Sequence, residues 1–304
     1  MNARTPRPAW EDLPDVVRDA VETRFGLVLK AESATSGIMP GVVARLDIED
    51  GDREHVFLKA IDRNHEAAHL HLRERWAGEN LPGDVPAPRM LWATTLGGWH
   101  AAVWEYVDAA RHADLTPGSA NLGPVLDTIA LLGTRLTPCP NGATPVSANV
   151  KALLAKGKAL LAKPAGALAD REPYEAAFEG LDLAHLRGDT LLHYDLSASN
   201  LLVTGQRVRV VDWSFAARGA AWLDAALFAP GLVEAGHTPV KADELLSTLP
   251  PWKTAPQAAV VGIAAAWTLF RDYKARYGPE EVREARARAA EAGHAWMTYL
   301  RSKG

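Results

Sequence analysis

The alternation of apolar and polar residues changes period along the chain, and those changes outline its parts. A stretch at about 14–25 has helical spacing, and short runs with strand character follow it. "GLVLKAES" and "GVVARLDIE" flank a loop, "ATSGIMPG", that carries Gly37 and Gly41. Asp50-Gly51 is a hairpin signal leading into "HVFLKA", a run dense in β-formers. A helical pattern occupies about 64–78 and is broken by "LPGDVPAPR". "RMLWATT", Gly97-Gly98 and "WHAAVWEYV" then read as a second hairpin.

After Val107 the texture changes. Polar sequence with proline and glycine (108–118) precedes helical segments at about 121–136 and in "SANVKALLAKGKALLAK". From about 219 onward helical patterns dominate to the end. Between these blocks lies an island with strand character, "TLLHYDLSASNLLVTGQRVRVVDWSF". The expected fold is α+β in two lobes. A β-rich lobe spans 1–107, a linker lies near 105–116, and a mostly helical lobe, 108–304, carries one short hairpin.

Composition narrows the class. With 304 residues, 48% hydrophobic and 23% charged, the chain has the make-up of a globular protein of one large or two moderate domains. A net charge of −4 offers no basic field for nucleic acid or an anionic membrane. The single cysteine, Cys139, has no internal partner, which fits a reducing compartment. "MNARTPRPAWEDLPD" lacks the apolar core of a signal peptide, and the most apolar run (258–270) is too short to span a bilayer. A cytoplasmic protein with neither nucleic-acid nor membrane partners is expected.

The island holds the chemistry. Asp195 opens it, Asn200 follows five residues later, and Asp212 ends the next strand. Magnesium takes carboxylate and carbonyl oxygens and keeps some waters for phosphate to share, so Asn200 and Asp212 suit it as ligands. Asp195, just outside that pair, is placed to accept or orient a hydroxyl proton. H-x-D-x-x-x-x-N followed by D is the catalytic half of kinase-type phosphoryl transfer. The other half needs a backbone loop over the phosphates, a lysine on the third strand and a helix glutamate. "SGIMPG" supplies the loop through Ser36, Gly37 and Gly41, "VFLKA" supplies Lys59, and Glu74 follows on the next helix, where Glu66 is a rival. As mere turn caps, Asp195, Asn200 and Asp212 would need no such residues upstream.

The helical pattern after Lys59 contains a competing motif. His65-Glu66-Ala67-Ala68-His69 reads H-E-x-x-H, which on a helix would stack two imidazoles for zinc. Leu72 stands where the extended form of that motif needs glycine, and the helix is already used by the phosphoryl-transfer reading. A zinc protease is therefore the remote alternative.

These residues together resemble the aminoglycoside phosphotransferase and choline kinase family, small-molecule relatives of the protein kinases. "HYDLSASNLLV", "VVDWSFAARGAAWLDAALF", "VFLKA", "RERWAGENLPGDVPAPRML" and "VWEYV" carry the likeness, over roughly residues 26 to 237. The resemblance implies a kinase-like fold and ATP (or GTP) with Mg²⁺ as cofactors. It implies a catalytic Asp195, metal ligands Asn200 and Asp212, and a phosphate-binding Lys59 braced by Glu74. It also implies backbone contacts to the base at Glu105 and Val107, and a supporting Asp224. Tyr194 departs from the Gly or Thr usual there, and Ser214 from the frequent Glu. The loop also has only two glycines. These departures bear on nucleotide preference and rate.

The acceptor implied is a small hydroxylated molecule, a metabolite or an antibiotic. From residue 215 to 304 there are nine Asp/Glu and eleven Lys/Arg, so this region lacks the acidity a polycationic aminoglycoside would favour. Trp213, Trp222, Trp252, Trp267 and Trp296 suggest apolar or ring-stacking surface instead. A catalytically inactive nucleotide-binding module is the alternative that shares the same residues.

Overall fold

A computed structural model of the chain describes residues 7–34, 40–164, 168 and 170–303. The chain divides into two compact units, Met1–Ala110 with Arg209–Phe215, and Arg111–Val208 with Ala216–Gly304.

The first unit runs α1 (Asp15–Phe25), β1 (Leu27–Ser33), β2 (Val42–Glu49), β3 (His55–Asp62), α2 (Ala68–Asn80), β4 (Met90–Leu96) and β5 (Trp99–Glu105). Its strands form one antiparallel sheet in the order β1-β2-β3-β5-β4. The two expected hairpins have the backbone their residues favour. Asp50 takes φ 56°, and Gly97 and Gly98 take φ 57° and 81°.

Side chains on β3 alternate, so Val56, Leu58 and Ala60 point into a core with Val42, Ala44, Leu46, Ala101 and Val103. Val17 and Val21 of α1, with Trp10 and Leu13, close that core. Each buried Val or Leu contributes about 1.5–3 kcal/mol. The other face carries Lys59, Phe57 and His55, opposite Val43, Arg45 and Asp47 of β2. There α2 packs closely, because Gly78 leaves room for the Trp104 ring, which a Cβ would meet at 2.5 Å.

The helix after Lys59 starts later than its sequence pattern suggested. The Asp62 side chain accepts the Asn64 N–H at 2.8 Å, and turns continue through His65 and Ala68. Such an Asx turn competes with helix formation, so α2 begins only at Ala68.

The second unit contains β6 (Arg111–His112), α3 (Leu122–Arg135), α4 (Val146–Leu161), α5 (Glu172–Glu179), β7 (Thr190–Leu192), β8 (Leu201–Thr204), β9 (Arg207–Val210, whose end runs into the first unit), β10 (Ala217–Gly219), α6 (Leu223–Glu234), α7 (Pro239–Leu246), α8 (Gln257–Tyr277) and α9 (Glu280–Lys303). The apolar run 258–270 lies within α8 and is largely buried. Gly293 lets α9 approach it, since a Cβ there would lie 2.4 Å from Thr268 Oγ1. Among the described residues no helix is long and apolar enough to cross a membrane.

The fold is thus α+β, with a strand-rich N-terminal region and a helical C-terminal region, as in two-lobed kinase-like proteins. The helical region carries more strand than the single hairpin expected. β6 pairs with β8, and β10 pairs with β7.

Candidate active site

In the first unit, Lys59 occupies the central strand of the sheet with its side chain on the α2 face. Its Nζ lies 2.6 Å from Glu74 Oε1 and 3.7 Å from Asp212 Oδ1. Glu66 is exposed in the turn before α2, so the ion pair belongs to Glu74. Burial works against the Lys59 charge, but the carboxylates of Asp212 and Glu74 outweigh it and hold its pKa above the ordinary value. Burial pushes the Glu74 carboxyl up, against the pull of Lys59. His71, one turn before Glu74, is also buried. Burial, then the Lys59 charge, depresses it to about 4, so it is neutral at pH 7.

Asp212 takes φ 64° just past β9 and accepts a hydrogen bond from Ser214 Oγ at 2.6 Å. The chain there is fixed by Val210 N–H donating to Pro86 O at 2.7 Å and Trp213 Nε1 donating to Val210 O at 3.1 Å. Glu105 ends β5, where its carboxylate accepts from Arg89 at 2.8 Å and pairs with Arg53 at 3.3 Å. Burial would raise its pKa, but the Arg89 hydrogen bonds hold it low. Val107 follows it, half-buried.

Ser36 and Gly37 lie outside the described residues. Gly41 enters β2 at φ 99°, where a Cβ would stand 2.2 Å from Ala60 O, beside Lys59. Only glycine fits there. Gly41→Ala should cost about 2 kcal/mol or more of stability, read from denaturant unfolding.

In the second unit, β7 delivers a loop through His193, Tyr194 and Asp195. Asp224, in the first turn of α6, binds the backbone of that loop: Oδ2 accepts from His193 N–H at 3.0 Å and Oδ1 from Tyr194 N–H at 2.7 Å. These two bonds support Tyr194 at φ 72°, a costly conformation for a bulky residue. Burial raises the Asp224 pKa, opposed first by His193. The Asp195 N–H donates to His193 Nδ1 at 3.2 Å. Asn200 Nδ2 donates to Asp195 O at 2.8 Å and lies 3.4 Å from Asp195 Oδ2. With its amide nitrogen so used, Asn200 has the carbonyl Oδ1 for another partner, an atom of the kind magnesium takes. In the first unit, the Asp212 carboxylate, 31% exposed, is likewise of a kind that ion takes.

A family model described as "Phosphotransferase enzyme family" matches residues 46–300. The chain belongs to that family. Among solved structures, this phosphotransferase-family chain is similar to a putative fructosamine-3-kinase from Haemophilus somnus (TM-score 0.58, 12% identity, covering 94% of this chain and 97% of that one). It is also similar to a spectinomycin phosphotransferase (TM-score 0.57, 11% identity, covering 93% and 96%). A third is a choline/ethanolamine kinase family protein from Mesorhizobium loti (TM-score 0.51, 16% identity, covering 93% and 99%). At these identities the likeness concerns the fold. Comparison with curated proteins gives no significant match.

The H-E-x-x-H stretch does not lie on one helix, because His65, Glu66 and Ala67 precede α2 and only Ala68 and His69 belong to it. His65 Nδ1 accepts the Ala67 N–H and His69 Nδ1 contacts Glu66 O, so both rings serve the turn. Among the described residues no three His, Cys, Asp or Glu side chains gather as metal ligands. Of the five tryptophans read as possible ring-stacking surface, Trp213, Trp222, Trp267 and Trp296 are buried core, and Trp252 alone is half-exposed. Four of these five rings are therefore packing.

Proposed function

We propose that this chain is a small-molecule kinase that transfers the γ-phosphoryl group of ATP (or GTP) to a hydroxyl of a small acceptor. The Lys59–Glu74 ion pair with Asp212 beside it carries the reading. A lysine kept charged on a mostly buried sheet face, braced by one carboxylate and adjoining another, suits phosphate bound together with a cation.

In this reading the acceptor oxygen attacks the γ-phosphorus, the bond to the bridging oxygen breaks, and the nucleoside diphosphate leaves. Asp195 orients the hydroxyl and takes its proton. Asn200 and Asp212 hold Mg²⁺, which when bound neutralises phosphate charge. Lys59 binds the phosphates, while Glu74 and Asp224 position Lys59 and the catalytic loop. The backbone of Glu105 and Val107 meets the base, and Ser36, Gly37 and Gly41 serve the phosphates. Catalysis is then mainly positioning and charge neutralisation. The near-balance of charge after residue 215 favours a neutral or weakly charged hydroxylated metabolite or antibiotic as acceptor.

A panel of hydroxylated metabolites and antibiotics, assayed for ADP and GDP release with the Mg-nucleotides, tests this. Release above the hydrolysis background with at least one acceptor is expected. Nucleotide binding without transfer to any member would favour the inactive binding module.

A further inference from the structure

The segment leaving β5 is held by contacts that none of the steps above uses. Tyr106 stands between Glu105 and Val107, and two side chains enclose its ring. The Arg45 guanidinium lies 5.5 Å from the ring centroid, and His55 meets the ring nearly edge-on, at 5.9 Å and 81°. Asp47 joins these two. Its carboxylate accepts Arg45 Nε at 2.8 Å and Nη2 at 3.0 Å, and its Oδ1 lies 3.0 Å from His55 Nδ1.

Strand register explains the grouping. Arg45 faces Phe57 and Asp47 faces His55 across β2 and β3, on the same side of the sheet as Lys59. A guanidinium gripped at two nitrogens has a fixed plane, and a fixed plane over a ring fixes the ring. The next residue back, Glu105, is tied by Arg89 and Arg53. The backbone at 105–107 is thus restrained at two consecutive side chains.

We propose that Arg45, Asp47 and His55 form a clamp on Tyr106 that fixes the peptide groups of Glu105 and Val107, and so sets the affinity for the base of the nucleotide. This rests on the nucleotide reading above. Tyr106 is a positioning residue: it acts through the backbone on the base end of the ligand. The phosphates fall to Lys59, four residues along β3 from His55. The cluster is partly exposed, with side-chain accessibilities of 28% for Arg45 and 22% for Asp47. Contacts of this kind change an affinity several-fold, not a thousandfold.

The test is calorimetry on the full chain, using the Mg-nucleotide that the wild type binds and its bare nucleoside, with folding checked by thermal melting. Tyr106→Leu should weaken nucleotide and nucleoside by the same factor, about 10-fold. Tyr106→Phe, which keeps the ring and loses the hydroxyl that Arg45 also hydrogen-bonds, should recover most of both affinities. Arg45→Met should lower both about 3-fold. Lys59→Met should weaken the nucleotide and spare the nucleoside.

A folded Tyr106→Leu protein with wild-type nucleoside affinity overturns the clamp, as does a Tyr106→Phe loss equal to that of Tyr106→Leu. If Tyr106→Leu does not fold, Arg45→Met decides, and an unchanged affinity there overturns the clamp equally. A wild type that binds neither ligand removes the nucleotide reading itself, a result distinct from any variant's.

Discussion

Asp195→Ala should lower turnover of the true acceptor by about 10²-fold or more while leaving Mg-nucleotide affinity nearly unchanged. The backbone of the loop that carries Asp195 is held by bonds that do not involve its carboxylate. Asp224 holds the loop through the His193 and Tyr194 N–H groups, and Asn200 holds it through the Asp195 carbonyl oxygen. Removing the Asp195 carboxylate therefore deletes the proton acceptor of the proposed reaction and leaves the loop's backbone bonds in place. Asp195→Asn sharpens the result, because it keeps the size and loses the base. It should fall nearly as far as Asp195→Ala. Calorimetry for nucleotide and single-turnover kinetics for the acceptor separate the two effects. A drop in nucleotide affinity alone would move Asp195 among the metal ligands, and wild-type transfer would remove it from the mechanism.

Much of this arrangement was legible in the sequence because it is local. β3 is read from a short β-rich run, and alternation alone puts Lys59 on the face opposite Leu58 and Ala60. The turn after β8 and the position of Asn200 just before that strand follow from spacing. What spacing cannot show is a choice between partners at similar distance. Glu66 and Glu74 were both candidates until the Asx turn at Asp62 delayed the start of α2 and left Glu66 exposed.

Short strands such as β6 and β10 were missed for a related reason. With two and three residues they have no periodicity of their own, and they exist only through pairing with β8 and β7. The Tyr106 cluster was hidden as well, since Arg45, Asp47 and His55 meet only after β2 and β3 align. The tryptophans failed in the opposite way. Their number was visible, but sequence alone does not tell a core ring from a surface ring.

Lys59→Met should both abolish useful nucleotide binding and destabilise the first unit, and the two losses can be separated. Glu74 is 6% exposed, so removing its cation leaves a buried carboxylate uncompensated. Breaking such a pair typically costs about 3–5 kcal/mol. Asp212 is more exposed and tolerates the change better.

The loss should depend on pH with a definite sign. Burial already raises the Glu74 pKa, and without Lys59 the hydrogen bond from the Trp213 backbone is what still opposes that rise. A carboxyl whose folded pKa lies above its unfolded value binds its proton more readily in the fold. Its contribution to stability is therefore lost as pH rises through that interval, and regained on acidification. Relative to wild type, Lys59→Met should recover stability as pH falls from 7 toward 5. Lys59→Met/Glu74→Leu, which removes both charges, should regain most of the stability and lose this pH dependence, yet stay as poor in nucleotide binding as the single variant. Denaturant unfolding across pH, set beside calorimetric titration, reads both quantities. Nucleotide binding restored in the double variant would show that Lys59 matters for the fold and not for phosphate.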